Sequence, residues 1–281
     1  MIQRKGECMG RRIPAGTTAS LVFAAGRGSR MKGYDGNKTL LPLVPGPSPF
    51  QGSEPILLHI LGNLPEGPKA LVIHHQKEDI FRATKSYHVS YCEQPVLNGT
   101  GGALLAAEAF LRGTPWDQLI ITMGDVPFIC RSTYLHLLQG LSENHFMVLG
   151  FQPRDKREYG VLEMESGKVR KIVEWKYWST FPQSVQNRYR ICNAGIYAAR
   201  RESLLAYLPV MAQRPHRVMK ERKEGIAEVE EYFITDLVEW MIQDGLVVGA
   251  ALAEDAREVM GVDDLPSLRE AQEFFRTFKT E

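Results

Sequence analysis

The chain has 281 residues, 44% of them hydrophobic and 24% charged, an ordinary globular composition with enough apolar material for a substantial core. The formal net charge of +1 argues against a nucleic-acid or membrane-surface partner. No run of about 18 apolar residues is present to span a membrane. The four cysteines (Cys8, Cys92, Cys130 and Cys192) form no CxxC pair, so neither a zinc site nor a disulfide framework is expected, and a reducing, cytoplasmic setting fits.

Residues 1–18 read as a basic tail that lacks the apolar stretch of a signal peptide, with Met9 as an alternative start. From residue 19 short apolar runs alternate with amphipathic stretches. Strands are expected at 19–23, 69–74, 88–92, 119–123 and 146–151, and helices at 55–64, 79–85, 102–111 and 131–141. That alternation implies βαβ units and a mostly parallel sheet with helices on both faces. After about residue 158 the rhythm changes. A hairpin is expected from 159–164 and 168–175, then a strand at 191–198, a helix at 233–243, a strand at 246–252 and a closing helix at 265–278. The basic segment Arg214–Gly225 reads as a solvated loop. No linker, repeat or low-complexity tract divides residues 19–281, which read as one domain with halves 19–150 and 151–281.

Three motifs follow predicted strands. The first runs Ala24-Ala25-Gly26-Arg27-Gly28-Ser29-Arg30-Met31, with Lys38 downstream. Glycines let a backbone approach phosphate and adopt positive φ, and successive N–H groups can cradle an anion. Arg30 and Lys38 could neutralise a triphosphate. Neither GxxxxGK[ST] nor GxGxxG is matched, and taken alone a tight βα turn with surface cations is an equal reading. The second is EQPVLNGTGGA at 93–103. There Gln94 offers a donor and an acceptor for a base edge, and Gly99 and Gly101 would allow packing against a flat ring. A helix start capped by Thr100 is the plain alternative. The third is MGDVP at 123–127, where Asp125 falls just past a strand end, a position suited to Mg²⁺.

Further pieces lie downstream: Gly160 in YGVL, Glu174 and Lys176 in VEWK, Asn193 in NAGIY and Asp263 in GVDD. Asp264 reads as the N-cap of the last helix, leaving Asp263 as the better ligand. The pair His74-His75 reads as structural. Trp175, Tyr177 and Trp178 read equally as a sugar platform or as a core or subunit contact.

AAGRGSRM…K, EQPVLNGTGGA, MGDVP, YGVL, VEWK, NAGIY, EEYFITD and GVDD occur in the order seen in sugar-nucleotide pyrophosphorylases. The chain resembles the uridyltransferase domain of bacterial N-acetylglucosamine-1-phosphate uridyltransferase over about residues 19–275. The resemblance implies a Rossmann-like, GT-A-like α/β nucleotidyltransferase. It would join a nucleoside triphosphate, UTP first among them, to a sugar 1-phosphate with Mg²⁺ and release pyrophosphate. It implies that Gly26, Gly28 and Arg30 hold the triphosphate and Lys38 contacts phosphates, while Gln94, Gly99 and Thr100 read the base. Asp125 and Asp263 would bind Mg²⁺; Gly160, Glu174 and Asn193 would hold the sugar, with Lys176 facing its phosphate. This sequence departs from the pattern at Asn37, where the family has proline, at Asp263, where it has asparagine, and in the long stretch 45–54. No hexapeptide repeat follows the last helix, so acetyltransferase activity is not expected. A different nucleotide or a non-sugar phosphate acceptor, and a regulatory subunit that binds a nucleotide sugar without turnover, are the competing readings.

Overall fold

The computed structural model describes residues 17–222 and 225–278. Most of the tail, Cys8 and Met9 among it, lies outside the described residues. Strand β1 (Thr18–Phe23) is buried almost throughout and pairs in parallel with β4 (Lys69–Ile73) on one side and β6 (Gln118–Met123) on the other. A strand enclosed on both faces reads as a near-continuous apolar run, which TASLVF supplies apart from the small polar residues Thr18 and Ser20. β5 (Val89–Glu93) extends the parallel set beyond β4. Across β6 lies the antiparallel strand β10 (Cys192–Arg200), then β7 (Phe146–Phe151), then β13 (Val248–Leu252), which runs parallel to β7. The order is β13-β7-β10-β6-β1-β4-β5, so the sheet runs through both halves of the chain.

Successive strand residues enter opposite cores, as the two-residue period requires. Val22, Leu71 and Ile120 pack with Ile56 and Ile60 of α1 (Ile56–Asn63), Leu137 of α5 (Arg131–Gly140) and Phe275 of α10 (Leu265–Phe278). Leu21, Val72 and Ile121 pack on the other face with Leu104 of α3 (Gly99–Ala106), Leu208 of α8 (Arg201–Ala212) and Met241 of α9 (Asp236–Gln243). This is the mixed, mostly parallel sheet with helices on both faces that the alternation implies.

Several boundaries differ from expectation. The expected helix at 79–85 is α2 (Lys77–Ala83), and the one at 102–111 is divided at Ala107 into α3 and α4 (Glu108–Gly113). The stretch 45–54 contributes to a small hairpin, β2 (Pro42–Pro45) with β3 (Gly52–Pro55), against which α10 packs through Gln272. The second hairpin is β8 (Val161–Glu165) with β9 (Lys168–Val173). It turns through Ser166 (φ 51°) and Gly167 (φ 77°), the doubly left-handed loop that suits strand twist. Two short helices follow, α6 (Trp175–Trp178) and α7 (Gln183–Gln186).

Helix α8 is not expected from the pattern, because Pro209 lies inside it; the proline removes one backbone bond in the last turn, where little helix follows to be disrupted. The segment read as a loop from Arg214 is instead strand β11 (His216–Arg222), paired with β12 (Gly225–Glu231). Arg217 lies opposite Glu230 and His216 opposite Glu231, so the basic strand is matched by an acidic one that the basic segment alone does not reveal. Lys223 and Glu224, between them, lie outside the described residues.

Candidate active site

The C-terminal ends of β1, β4, β5 and β6 share one edge of the sheet, and antiparallel β10 brings its N-terminal end there. Open α/β sheets bind ligands at that edge. The end of β1 and the residue after β6 are tied together by the bond from Gly124 N to Phe23 O, 2.9 Å.

At the centre of a cleft of about 230 Å³ stands Lys38, only 8% exposed. Its Nζ donates to Asp125 Oδ2 at 2.6 Å and to Asp263 Oδ1 at 2.9 Å, while Arg30 Nη2 donates to the same Asp263 oxygen at 2.8 Å. Burial pulls the Lys38 ammonium downward, but Asp125 and Asp263 together raise it above its ordinary value, so it is charged at neutral pH. Asp263 reaches the cleft because Val262 N donates to Asp125 O at 2.9 Å, and Asp264 does cap α10, accepting from Ser267 N at 2.9 Å. Gly28 (φ 61°) turns over this lysine, and a Cβ there would lie 3.0 Å from Lys38 Cβ.

The two carboxylates converge on one cationic atom, and the donors are all oxygen, the set a small hard cation takes. Among the described residues no third acidic, histidine or cysteine side chain joins them. Two protein ligands with the rest from phosphates and water is the usual habit of Mg²⁺, so the residues fit it.

The other candidates are placed unevenly. Gly26 lies at the cleft with open space around it. Ala24 and Ala25 are core residues, and the Ala24 N–H already donates to Val72 O at 2.8 Å, so it is not available to a phosphate. Gln94 is buried, and its Nε2 donates to Asn98 Oδ1 at 3.0 Å and Gly99 O at 3.2 Å; the donor foreseen for a base is engaged within its own loop. A Cβ on Gly99 would meet the backbone of Tyr232, and one on Gly101 would meet Tyr232 and Met211 Sδ, so on that side the two glycines pack against protein. Thr100 Oγ1 accepts from Ile234 N at 3.1 Å. His74 Nδ1 pairs with Gln94 O at 2.8 Å, a structural role as foreseen.

A second, larger cavity of about 780 Å³ opens beside Glu174, walled by Trp175, Tyr177 and Phe233. Glu174 Oε1 accepts from Thr235 Oγ1 at 3.1 Å, and burial raises its carboxyl above the ordinary value although the Thr235 bond and Lys176 pull the other way. Gly160 lies against Glu174: a Cβ there would approach Oε2 to 3.3 Å. Asn193 N donates to Gly160 O at 2.8 Å, and its side chain bonds Tyr197 Oη (2.9 Å) and Gly195 N (3.0 Å), across a bulge where Gly195 has φ 74°. Lys176 Nζ sits over the Tyr177 ring at 4.8 Å and 5.8 Å from that of Phe233. Thr235, Tyr232 and Tyr197 stand out by no spacing or charge in the sequence, although EEYFITD contains the first two.

Sheet and cleft together define an α/β protein whose charged residues gather at the strand ends. The chain belongs to the MobA-like NTP transferase domain family, whose model matches residues 20–224. It is similar to the bifunctional protein GlmU of Novosphingobium aromaticivorans, 32% identical over 260 residues, covering 90% of this chain and 52% of that protein. GlmU of Sphingopyxis alaskensis is 31% identical over 268 residues, covering 94% and 53%. The chain thus spans about half the length of these curated relatives. In fold it is similar to a uridine diphosphate N-acetylglucosamine pyrophosphorylase of Trypanosoma brucei, with TM-score 0.71, 14% identity and coverage of 92% of this chain and 65% of that one. A Bacillus anthracis chain described as a glucose-1-phosphate thymidylyltransferase gives TM-score 0.65 at 18% identity, covering 92% and 96%. The fold is GT-A-like, and the protein is a nucleotidyltransferase.

Proposed function

We propose that the protein transfers a nucleotidyl group, from UTP first of all, to a sugar 1-phosphate. The observation that carries this is the convergence of Lys38 and Arg30 with Asp125 and Asp263 in one cleft beneath the glycine loop. An acceptor phosphate oxygen attacks the α-phosphorus, a new P–O bond forms, and the bond to the β-phosphate breaks so that pyrophosphate leaves. The nucleophile is already ionised at neutral pH, so alignment and charge neutralisation suffice without a strong general base. Asp125 and Asp263 would hold Mg²⁺, whose chemistry when bound is Lewis-acid stabilisation of charge on the reacting phosphates. Arg30 steadies the leaving pyrophosphate and Lys38 the bound phosphates. Gly160, Glu174 and Asn193 orient the acceptor. On this reading residues 19–281 work as one unit, with 19–150 receiving the nucleotide and 151–281 the acceptor.

The Trp175, Tyr177 and Phe233 rings around the Glu174 carboxylate give a specific reason for a second reading, in which the non-phosphate end of the acceptor is cationic. The test is pyrophosphate release with Mg²⁺, crossing five nucleoside triphosphates with sugar 1-phosphates and phosphocholine. Turnover with a sugar 1-phosphate supports the first reading, and turnover only with phosphocholine supports the second. Binding of nucleotide sugar without turnover of any pair would overturn both.

A further inference from the structure

Asn37 is 1% exposed, and every polar atom of its side chain is committed. Nδ2 donates to the carbonyl of His75, just past β4, at 2.7 Å. Oδ1 accepts from Thr39 N at 2.9 Å and from Thr39 Oγ1 at 2.7 Å. The amide can face only one way, because its donor must meet a carbonyl and its acceptor an N–H. Through these bonds Asn37 caps the single 3₁₀ turn Lys38–Leu40 and ties it to the end of a core strand. The two residues that follow Asn37 both line the cleft. Lys38 reaches Asp125, and Thr39 packs under Gly124, where a Cβ would come within 3.0 Å of Thr39 Cγ2.

We propose that Asn37 is the positioning residue for Lys38, its amide locking the turn from which the ammonium reaches the phosphate cleft. This rests on the function proposed above. Lysine has four rotatable bonds, so where its ammonium acts depends on where its backbone is held. A displacement of about 1 Å at a reacting centre can cost around 100-fold in rate. Serine also caps helices well but cannot reach His75, so Asn37→Ser separates capping from the tether to β4. Aspartate keeps the acceptor and turns an oxygen toward the His75 carbonyl, so it loses the tether as well.

The test is a double-mutant cycle read by single-turnover rates and by UTP affinity, with thermal melts to confirm folding. Asn37→Ala and Asn37→Ser should each lower the rate about tenfold or more with Lys38 present, of the order that the net worth of one intramolecular hydrogen bond sets. In a Lys38→Ala background the same changes should cost less than about twofold, because the residue they position is gone. A merely structural role would give equal losses in both backgrounds, and that result overturns the proposal. So would a wild-type rate from Asn37→Ser. Wild-type turnover by Lys38→Ala would instead sink the underlying site reading and take this proposal with it, so the two failures are distinguishable.

Discussion

The carbonyl oxygen of Tyr232 lies where the side chain of Gly99 would begin: a Cβ on Gly99 would stand 2.3 Å from it. The strap is fixed by reciprocal bonds, Tyr232 N to Asn98 O at 2.9 Å and Gly101 N to Tyr232 O at 2.8 Å. It goes on through Thr235 to Glu174, so one segment touches both the EQPVLNGTGGA loop and the larger cavity.

Gly99→Ala should therefore expel the strap, and φ of 92° adds backbone strain. The expected cost is about 1–3 kcal/mol from strain alone, with a raised KM for nucleotide. Denaturant melts and steady-state kinetics check it. An alanine variant as stable and as tight as wild type would show that the loop does not depend on this contact.

Asp125→Ala should lose at least ~100-fold in pyrophosphate release, of the order seen on removing one preorganised charge partner. Asp263→Asn keeps an oxygen and drops a charge, so its turnover at saturating Mg²⁺ should fall less than that of Asp125→Ala while its Mg²⁺ requirement rises. An unchanged Mg²⁺ titration in the asparagine variant would remove Asp263 from the metal site.

Arg30 separates stability from activity. Its side chain is 70% exposed, and an exposed ion pair contributes only about 0–1 kcal/mol. Arg30→Ala should melt like wild type yet lose ~100-fold or more in turnover. A full rate in this variant would strip Arg30 of its role on pyrophosphate.

Glu174 gives a pH signature. Burial raises its carboxyl above 4.5, so the folded chain keeps a proton that the unfolded chain has released. Its contribution to stability is then lost as pH climbs from 4.5 through the folded value, and the cost is complete above it. Glu174→Gln should melt higher than wild type at neutral pH, the gap closing in acid, while the KM for acceptor rises. A glutamine variant that melts lower at every pH would contradict this.

Gln272 is buried on α10 and donates to Pro42 O at 2.9 Å and Pro49 O at 2.8 Å, holding the β2–β3 hairpin. Gln272→Ala leaves two carbonyls without this donor and should cost about 1–3 kcal/mol with little change in the kinetics of residual folded enzyme. Denaturant titration beside an activity assay checks both halves of that expectation.

The sheet core was legible because buried strands such as Thr18–Phe23 and Phe146–Phe151 are mostly apolar, and their order with intervening helices restricts topology. Helix α8 and hairpin β11–β12 were not. The one hides a proline in its last turn, and the other owes its strand to a partner of opposite charge.

By itself the sequence determined the class of fold and the short motifs at the strand ends, since a glycine turn, a terminal aspartate and a capping pair are local chemistry. What those motifs do to one another is set by contacts across the fold. Lys38 meets Asp125 and Asp263 across 87 and 225 residues of chain, and Asn37 finds its acceptor 38 residues away. Tyr232 enters the glycine loop from the far half of the sequence and packs its backbone against Gly99. Contacts of that separation leave no period or spacing in the chain. They are set by which strands pair, and a side chain's partner is fixed only once the sheet has closed.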